Sequence, residues 1–356
     1  MEPKLQAALN RERIIKLLAV LSVIATGITV LLAVNNLLVS FVFAFVISYL
    51  LDPIVGFFER KGVPREASIL IPFILCGILI GIGVYKILPL LTAQVNLLEA
   101  QLPKYQIDLM NLVSSTEGRF RGFLKTYNIS FSQSINSWIL SKTAEISTFL
   151  PSLISGSLSV LLLSPFFAFF MLLDGRRMVR SILGLVPNNL FELSLNLQYQ
   201  LNEQMGGFIR ARFLEAAIVG FVVWIGLQGC GFPYATLLGV FAGAVNLIPY
   251  IGPIIGAIPA ILIALISNDA MITDTMSINL ILVSSIYFFA QLVDMIFIIP
   301  LVVAKIVNLH PATVVIVIII GSQVMGILGM VISIPVASAI KLIFRTLYDH
   351  LSDFRT

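Results

Sequence analysis

Hydrophobic and polar positions along the chain separate into long apolar runs divided by short charged segments. The uncharged runs cover residues 17–51, 67–85, 146–173, 216–268 and 311–340. A helix needs about 20 apolar residues to cross a bilayer. The first run therefore predicts two crossings with Asn35-Asn36 at the turn between them, and the next two runs predict the third and the fourth. A fifth crossing begins near Arg212, and residues 275–303 form another.

Basic residues predict which ends of these crossings face the cytoplasm. Lys and Arg concentrate in the N-terminal segment, in residues 52–66 and 174–212, and in the C-terminal tail, whereas residues 267–277 hold aspartates and no basic residue. Positively charged residues favour the cytoplasmic side of a membrane protein. We therefore expect both termini and residues 174–212 in the cytoplasm. Residues 267–277 and 91–150 would lie outside, although residues 91–150 also hold several basic residues.

This orientation turns two of the apolar runs into hairpins. The fifth crossing ends outside and Asp269 must also lie there, so residues 233–268 enter the membrane and return. Each arm of that stretch has about 15 residues, fewer than the roughly 17–25 of a full span. Residues 275–303 return to the cytoplasm, and Lys341 also lies there. Residues 311–340 must therefore enter and leave the membrane on the same side, as a second hairpin that turns near residues 321–329.

Together these elements predict an all-α polytopic membrane protein. We expect about six full-length transmembrane helices, two re-entrant or short-helix hairpins, and an amphipathic helical segment outside the membrane. A cytoplasmic helix would begin at Pro187-Asn188-Asn189 and loosen at Gly206-Gly207. The predicted parts are transmembrane helices 1–3 in residues 1–90, the extracytoplasmic helical segment 91–150, transmembrane helix 4 in residues 151–173, the cytoplasmic helical segment 174–212, the C-terminal core 213–345 with its broken hairpins 233–268 and 311–340, and the cytoplasmic tail 346–356.

The stretch NLIPYIGPIIGAIP at residues 246–259 breaks the backbone inside an apolar run. Its prolines remove backbone donors and prevent a continuous helix. Carbonyls freed at membrane depth must be covered by protein or line a water-filled cavity. Paired broken elements form the binding sites of many transporters, and here Asn246 and Gln323 give each hairpin an amide side chain. The alternative is that these prolines and glycines serve helix packing alone.

Composition narrows the functional classes. The 356 residues are 58% hydrophobic and 11% charged, with a mean hydropathy of +1.02, whereas soluble domains carry roughly 25% charged residues. The sequence has no G-x-x-x-x-G-K-[ST] phosphate loop and no H-E-x-x-H zinc motif. Its few histidines and cysteines offer no metal-site or disulfide spacing. We therefore expect no enzyme activity, no cofactor and no nucleic-acid partner.

Asp294 is the clearest ionisable residue inside a predicted crossing. Such a residue is costly in a membrane unless it faces a cavity or a partner. Gln291 lies one turn earlier on the same helix face. We interpret Asp294 as a solute or proton site. The alternative is a structural hydrogen bond to a neighbouring helix or to Lys305.

Other charged residues lie near the predicted membrane boundary. Glu215 follows Arg212 by one turn, and we interpret it as the partner of Arg212 or Arg210 in an interfacial ion pair. Lys305 and His310 lie at the predicted cytoplasmic mouth, where a cation could attract an anionic or polar solute. The alternative for this pair is ordinary snorkelling towards the interface.

Four segments in a fixed order resemble the AI-2E family of bacterial permeases. They read FIRARFLEA, GFPYATLLGVFAGAVNLIPYIGPIIGAIP, QLVDMIFIIPLVVAKIVNLHP and GSQVMGILGMVISIPVASAIK. The resemblance covers nearly the whole chain and is strongest over residues 205–341. The family pattern has Arg-Gly-Gln where this chain has Arg210-Ala211-Arg212, so any role of that glutamine does not carry over. The matching positions are Asn246, Pro249, Gly252, Pro253, Asp294, Pro300, His310, Pro311, Gly326, Gly329 and Pro335.

The resemblance implies a multi-pass inner-membrane transporter that exports a small polar solute such as autoinducer-2, a quorum-sensing molecule, without ATP hydrolysis. It also implies homo-oligomers, pentamers among them. Monovalent cation/proton antiport has been attributed to family members as well and would use Asp294 here. Because coupled ion transport usually uses several buried acids, one such residue favours solute export. A membrane scaffold without transport is the remaining alternative.

The candidate residues fall into two groups. Those of the solute path are Asn246, Pro249, Gly252, Pro253, Gln291, Asp294 and Gln323. Those of gating or of the mouth are Lys305, His310, Gly326 and Gly329. No catalytic or metal-binding residue is predicted.

Overall fold

The computed structural model describes residues 36–119, 158–184, 188–266, 276–296 and 309–353, together with positions 22, 25–27, 29, 30, 33, 34 and 186. Within these residues the backbone is helical and forms no strand, so the all-α prediction is confirmed. The helices are α1 (Leu37–Arg60), α2 (Arg65–Arg119), α3 (Leu158–Leu183), α4 (Asn188–Gly229), α5 (Ala235–Asn246), α6 (Gly252–Ile266), α7 (Met276–Val293) and α8 (Pro311–Asp353).

Four helices in the described part of the chain are long and apolar enough to cross a membrane, namely α1, α2, α7 and α8. The apolar helices α5 and α6 are shorter, as the predicted hairpin requires. Side chains along α1, α2 and α8 include many exposed large hydrophobic residues. In water such a surface would be unfavourable, whereas lipid tails solvate it.

The short helices α5 and α6 form the first predicted hairpin. They are joined by residues 247–251, where Tyr250 has a φ of 64°. Gly252 N donates to Ile248 O at 2.9 Å and closes the turn. Pro253 is the second residue of α6, and proline fits the first turn of a helix because the N–H groups there have no partner within the helix. Local sequence therefore sets this turn.

The long helix α8 doubles back on itself. Met325 and Gly326 have non-helical backbone angles, and Gly326 has a φ of 61°. Gly321 and Gly329 would lie about 12 Å apart along a continuous helix, yet their backbones are in contact. The chain therefore turns at residues 325–326, and two antiparallel arms pack through these glycines. The turn lies within residues 321–329, where the sequence predicts the second hairpin to turn.

The helix α2 differs from its prediction. It continues from the third crossing to Arg119 as one helix of 55 residues. The first part of the predicted extracytoplasmic segment 91–150 is therefore not a separate surface helix. Residues 120–150 lie outside the described part of the chain. The prediction ended the third crossing before Lys86, where the uncharged run ends. A lysine side chain does not interrupt the backbone hydrogen bonds of a helix, so the helix continues past it.

The helix α4 also corrects the prediction. It begins at Asn188, as the Pro-Asn-Asn pattern predicted, but it runs unbroken through Gly206-Gly207. A β-carbon at Gly206 would lie 2.9 Å from Tyr49 Cδ1. This glycine therefore permits close packing of α4 against α1 instead of loosening the helix. The gain from packing offsets a helix-propensity cost of about 1 kcal/mol.

The helices belong to two compact units. The first unit comprises residues 1–77, 157–210 and 306–356, and the second comprises residues 78–156 and 211–305. In the first unit α1 packs along α3 around a core of Leu51, Val55, Ile69 and Leu172. In the second unit α6 packs against both α5 and α7, and the core adds residues from α2 and α4.

A polar contact ties α2 to the start of α5 within the second unit. Gln94 Oε1 accepts a hydrogen bond from Leu237 N at 2.8 Å. Gln101 Oε1 accepts from Tyr234 Oη at 2.9 Å and from Tyr105 Oη at 2.7 Å. The first backbone N–H groups of a helix lack partners within the helix, and Gln94 satisfies one of them. The extension of α2 therefore helps to fix the hairpin.

Cysteine labelling tests the predicted orientation. We expect Gln228→Cys, at the end of α4, to react with a membrane-impermeant thiol reagent in intact cells. Lys61→Cys, between α1 and α2, should react only after permeabilisation, because positive residues mark the cytoplasmic side. Both side chains are exposed. The native Cys76 and Cys230 would be replaced by serine first. The opposite labelling pattern would reverse the orientation.

Candidate functional site

A cavity of about 420 Å³ opens in the second unit between α4, the α5–α6 hairpin and the end of α7. Most of its lining is apolar, but several polar side chains reach it from each of these elements. The lining residues are Arg212, Glu215, Val219, Ala242, Asn246, Pro249, Tyr250, Pro253, Ile254, Gly256, Tyr287, Ala290, Gln291, Asp294 and Met295.

The α4 side of the cavity carries an ion pair. Arg212 and Glu215 lie one helical turn apart, and Arg212 Nη1 donates to Glu215 Oε1. The side chains are 10% and 2% exposed, respectively. A buried ion pair is stable only when its partners stay together, since an isolated charge would be costly. The pair therefore places charge in the cavity wall without leaving Glu215 uncompensated.

The α7 side presents Tyr287, Gln291 and Asp294 on one face. Their spacing of four and three residues brings side chains into line along a helix. Gln291 Nε2 donates to Asp294 Oδ2 at 3.4 Å. The backbone widens into a single π-helical turn at residues 294–296, a distortion that is frequent at functional sites.

The hairpin closes the third side. Asn246 is the last residue of α5 and is buried, with 2% of its surface exposed. Pro249 and Pro253 line the cavity where the chain turns. Tyr250 and Ile254 are largely exposed, at 58% and 67%, so they lie at the rim. The broken backbone predicted from the sequence therefore lines a cavity.

Four buried polar atoms on these residues have no hydrogen-bond partner within the described residues. They are Glu215 Oε2, Asn246 Nδ2, Tyr287 Oη and Asp294 Oδ1. Leaving one such atom unpaired costs about 1–3 kcal/mol. Four on the wall of one cavity give it both donors and acceptors for a polar solute.

The two carboxyl groups belong to one electrostatic cluster. Glu215 on α4 and Asp294 just after α7 line the same cavity and interact electrostatically with each other, and Arg212 attracts both. Two interacting carboxylates repel each other unless a proton or a cation lies between them. Within the described residues there is no group of three or more His, Cys, Asp or Glu side chains that could hold a metal ion.

The predicted path residues meet in part. The cavity brings together Asn246, Pro249, Pro253, Gln291 and Asp294. Gly252 does not line it but lets α6 approach the backbone of α5 at Val245 and Asn246.

The remaining candidates lie elsewhere. Gln323, Gly326 and Gly329 belong to the first unit, where they form the α8 turn. His310 is exposed, and its Nδ1 accepts from Ala312 N at 3.3 Å, which caps the start of α8. Lys305 lies outside the described residues.

Sequence reasoning missed three cavity residues. Arg212 and Glu215 form the ion pair that the sequence predicted, but their burial in the wall of the cavity was not predicted. The sequence pattern shows that the two residues are one turn apart and carries no information on what packs against them. Tyr287 was not considered. Its position seven residues before Asp294 was the available signal, because that spacing returns to the same helix face.

Similar sequences identify the family of this chain. The sequence pattern of the AI-2E family transporter matches residues 18–349. The chain is 27% identical over 317 residues to "Putative transport protein YrrI" of Bacillus subtilis, covering 87% of this chain and 86% of the relative. It is 26% identical over 337 residues to "Putative permease PerM" of Escherichia coli K12, covering 93% of each. The match covers the described helices except for the last residues of α8, and the chain therefore belongs to the AI-2E family of multi-pass membrane transporters.

Proposed function

We propose that this transporter exports a small polar solute such as autoinducer-2 without ATP hydrolysis and that the cavity of the second unit binds the solute. The observation that carries this proposal is the set of four unpartnered buried polar atoms on Glu215, Asn246, Tyr287 and Asp294. A solute with several hydroxyl groups can donate to the carboxylates and the phenol oxygen and accept from the amide. Each bond would give a partner to a buried polar atom that has none among the described residues.

The size and depth of the cavity support the same conclusion. Sites for small molecules usually enclose about 300–1,000 Å³ and combine an apolar lining with a few placed polar groups. Here the volume is about 420 Å³. The turn at residues 247–251 leaves irregular backbone among apolar helices, which a membrane tolerates where it lines a cavity or packs against protein.

Monovalent cation/proton antiport is the second candidate. The sequence showed one buried acid in Asp294, which argued against it, but Glu215 lines the same cavity and interacts electrostatically with that acid. Two facing carboxyl groups can hold one proton or one small cation between them. The pair of acids therefore supports antiport more strongly than Asp294 alone does.

The cellular setting is part of the proposal. The bacterial relatives support a location in the bacterial inner membrane, and the distribution of Lys and Arg supports an orientation with both termini in the cytoplasm. We propose a homo-oligomer, for which the exposed apolar faces of the helices offer surface. Export of autoinducer-2 would give the protein a role in quorum sensing.

Solute protection of introduced cysteines tests the proposed site. In a background without Cys76 and Cys230, we expect a water-soluble thiol reagent to label Asn246→Cys and Ile254→Cys, because both positions line the cavity. Autoinducer-2 should slow this labelling. Reactivity reports hydration, since burial among apolar groups suppresses the thiolate.

A matched position on α6 provides the control. Ile255 is exposed but does not line the cavity, so Ile255→Cys should stay unreactive in lipid with and without solute. Flux of autoinducer-2 into proteoliposomes, with and without a pH gradient, gives the functional readout. Inertness of Asn246→Cys and Ile254→Cys in inserted protein would show that the hairpin serves packing alone.

A further inference from the structure

The described residues that line the cavity include more acidic than basic side chains. Its ionisable lining residues are Arg212 and Glu215 from α4, Tyr250 from the hairpin, and Tyr287 and Asp294 from α7. The two tyrosines contribute hydroxyl groups and no charge to this count. Arg212 therefore supplies one positive charge against two carboxylates, and one negative charge remains uncompensated among the described lining residues.

Such a charge is unfavourable in a buried, mostly apolar site. An ionised side chain inside a membrane protein needs a partner or a water-filled cavity. The cavity becomes neutral when it takes up one positive charge. A second positive charge would leave it with an excess of the opposite sign, which is equally unfavourable.

We infer that Arg212 is a specificity-determining residue, whose guanidinium is a fixed internal counter-charge that limits the cavity to one positive charge, held at the Glu215–Asp294 carboxyl pair. That charge is a proton or a monovalent cation, and a divalent cation is excluded. The inference rests on the proposed role of the cavity as the transport site, and it applies to solute export and to antiport alike.

The geometry of the cluster supports this role. Arg212 Nη1 holds Glu215 Oε1, which leaves Glu215 Oε2 and Asp294 Oδ1 without partners in the described residues. The two carboxyl groups line the same cavity and interact electrostatically with each other. One proton between them forms an O–H···O bond that satisfies both groups, and a small cation could bind the same oxygens. Arg212 faces both carboxyl groups, so it is placed to set their joint charge.

Cation-dependent unfolding of the purified protein tests the charge count without measuring transport. Thermal unfolding would be followed in CaCl₂, NaCl and choline chloride at matched ionic strength. For the wild type we expect no stabilisation by CaCl₂ beyond that in choline chloride. Arg212→Gln leaves two uncompensated carboxylates and should bind Ca²⁺ at least about tenfold more tightly than the wild type. It should therefore be stabilised by CaCl₂.

Two further variants separate charge from general damage. Arg212→Lys keeps the positive charge and should behave as the wild type. Arg212→Gln/Glu215→Gln removes one charge of each sign, so it should also lack Ca²⁺ stabilisation. If Arg212→Gln does not fold without a cation, it is prepared in CaCl₂ and in choline chloride. Only CaCl₂ should then recover folded protein, because Ca²⁺ replaces the missing counter-charge, and failure of CaCl₂ to recover it would contradict the inference.

The results that would overturn the inference are specific. Stabilisation of the wild type by CaCl₂ would contradict the limit of one charge, as would stabilisation of the double variant. If Arg212→Gln folds and CaCl₂ does not stabilise it, Arg212 does not determine how many positive charges the cavity takes up. If the expected pattern appears but autoinducer-2 flux is absent from wild-type proteoliposomes, the proposed solute is wrong while the role of Arg212 stands.

Discussion

Transport by the Asp294→Asn variant is expected to fall roughly 10- to 100-fold. A hydrogen bond to a charged group contributes about 1.5–3 kcal/mol, and each 1.4 kcal/mol corresponds to about a tenfold change in binding. Asparagine keeps the shape of aspartate and still hydrogen-bonds to Gln291, but it cannot ionise. The variant therefore removes the charge from the cavity with little change in packing. Initial rates in proteoliposomes, with and without a pH gradient, measure the effect.

The two candidate functions predict different residual transport in the Asp294→Asn variant. If Asp294 binds a hydroxylated solute directly, the residual rate should be low but should respond to solute concentration with a raised half-saturation. If Asp294 exchanges a proton for a cation, dependence on the pH gradient should disappear. Normal transport with unchanged pH dependence would reject the antiport mechanism. Loss of insertion or assembly would support a structural role for Asp294.

A control variant and a test of coupling accompany this experiment. Asp349→Asn changes an exposed aspartate of α8 whose ion pair with Arg345 is 3.7 Å long, and it should transport normally because exposed pairs contribute about 0–1 kcal/mol. Glu215→Gln alters the other carboxyl group of the cluster. Because Glu215 and Asp294 are coupled, the double variant Glu215→Gln/Asp294→Asn should lose less than the sum of the single effects.

Local backbone chemistry explains which parts of the fold could be predicted. Pro249, Pro253 and Gly252 specify the α5–α6 turn within a few residues, so reading the sequence was enough to place it. The α8 turn depends in the same way on Gly321, Gly326 and Gly329. In both cases the decisive property belongs to the residue itself, namely a missing N–H or a missing β-carbon.

Properties that depend on distant partners were predicted poorly. Glu215 looks like an interfacial acid because Arg212 precedes it, but its burial beside Asp294 depends on how α4 packs against α7. The length of α2 was underestimated because charge statistics locate the membrane surface and carry no information on where a helix ends. Its continuation towards Arg119 is stabilised in part by Gln94 and Gln101, whose partners lie on and just before α5.

The residues of the candidate site also fall into those visible in the sequence and those that depend on distant partners. Asp294, Gln291 and Asn246 were found because a polar residue in an apolar run is visible in the sequence. The cavity also needs Arg212 and Tyr287, whose roles follow from three-dimensional proximity. Gln323 met the same sequence criterion as Asn246, yet it is exposed at the α8 turn in the first unit.

Gly252→Ala is expected to disrupt the cavity by separating α5 from α6. Gly252 does not have a positive φ, so an alanine acts there only through the space that its β-carbon needs. That atom would lie 2.8 Å from Asn246 Cα and closer still to the carbonyl oxygen of Val245. Both are backbone atoms, which cannot move aside as a flexible side chain does. Such overpacking typically costs about 1–3 kcal/mol.

The position of Asn246 makes this a functional prediction as well as a stability prediction. Its side chain lines the cavity at the end of α5, so a shift of the α5 backbone moves Asn246 Nδ2 away from the carboxyl cluster. We expect solute flux to fall about tenfold or more, since a displacement near 1 Å can disturb a binding geometry that strongly. Solute protection of Ile254→Cys in the same background should weaken in parallel, because Ile254 and Gly252 lie on one helix.

Gly81→Ala is the matched control for this substitution. Gly81 also belongs to the second unit, but a β-carbon there would have no heavy atom within 4 Å under the same criterion. Alanine favours helix over glycine by about 1 kcal/mol, so Gly81→Ala should insert, unfold at or above the wild-type temperature and transport normally. If Gly252→Ala matches this control in both unfolding temperature and flux, the close contact between Gly252 and α5 does not hold the cavity together. Loss of flux at an unchanged unfolding temperature would instead show that the contact matters for the placement of Asn246 more than for the stability of the fold.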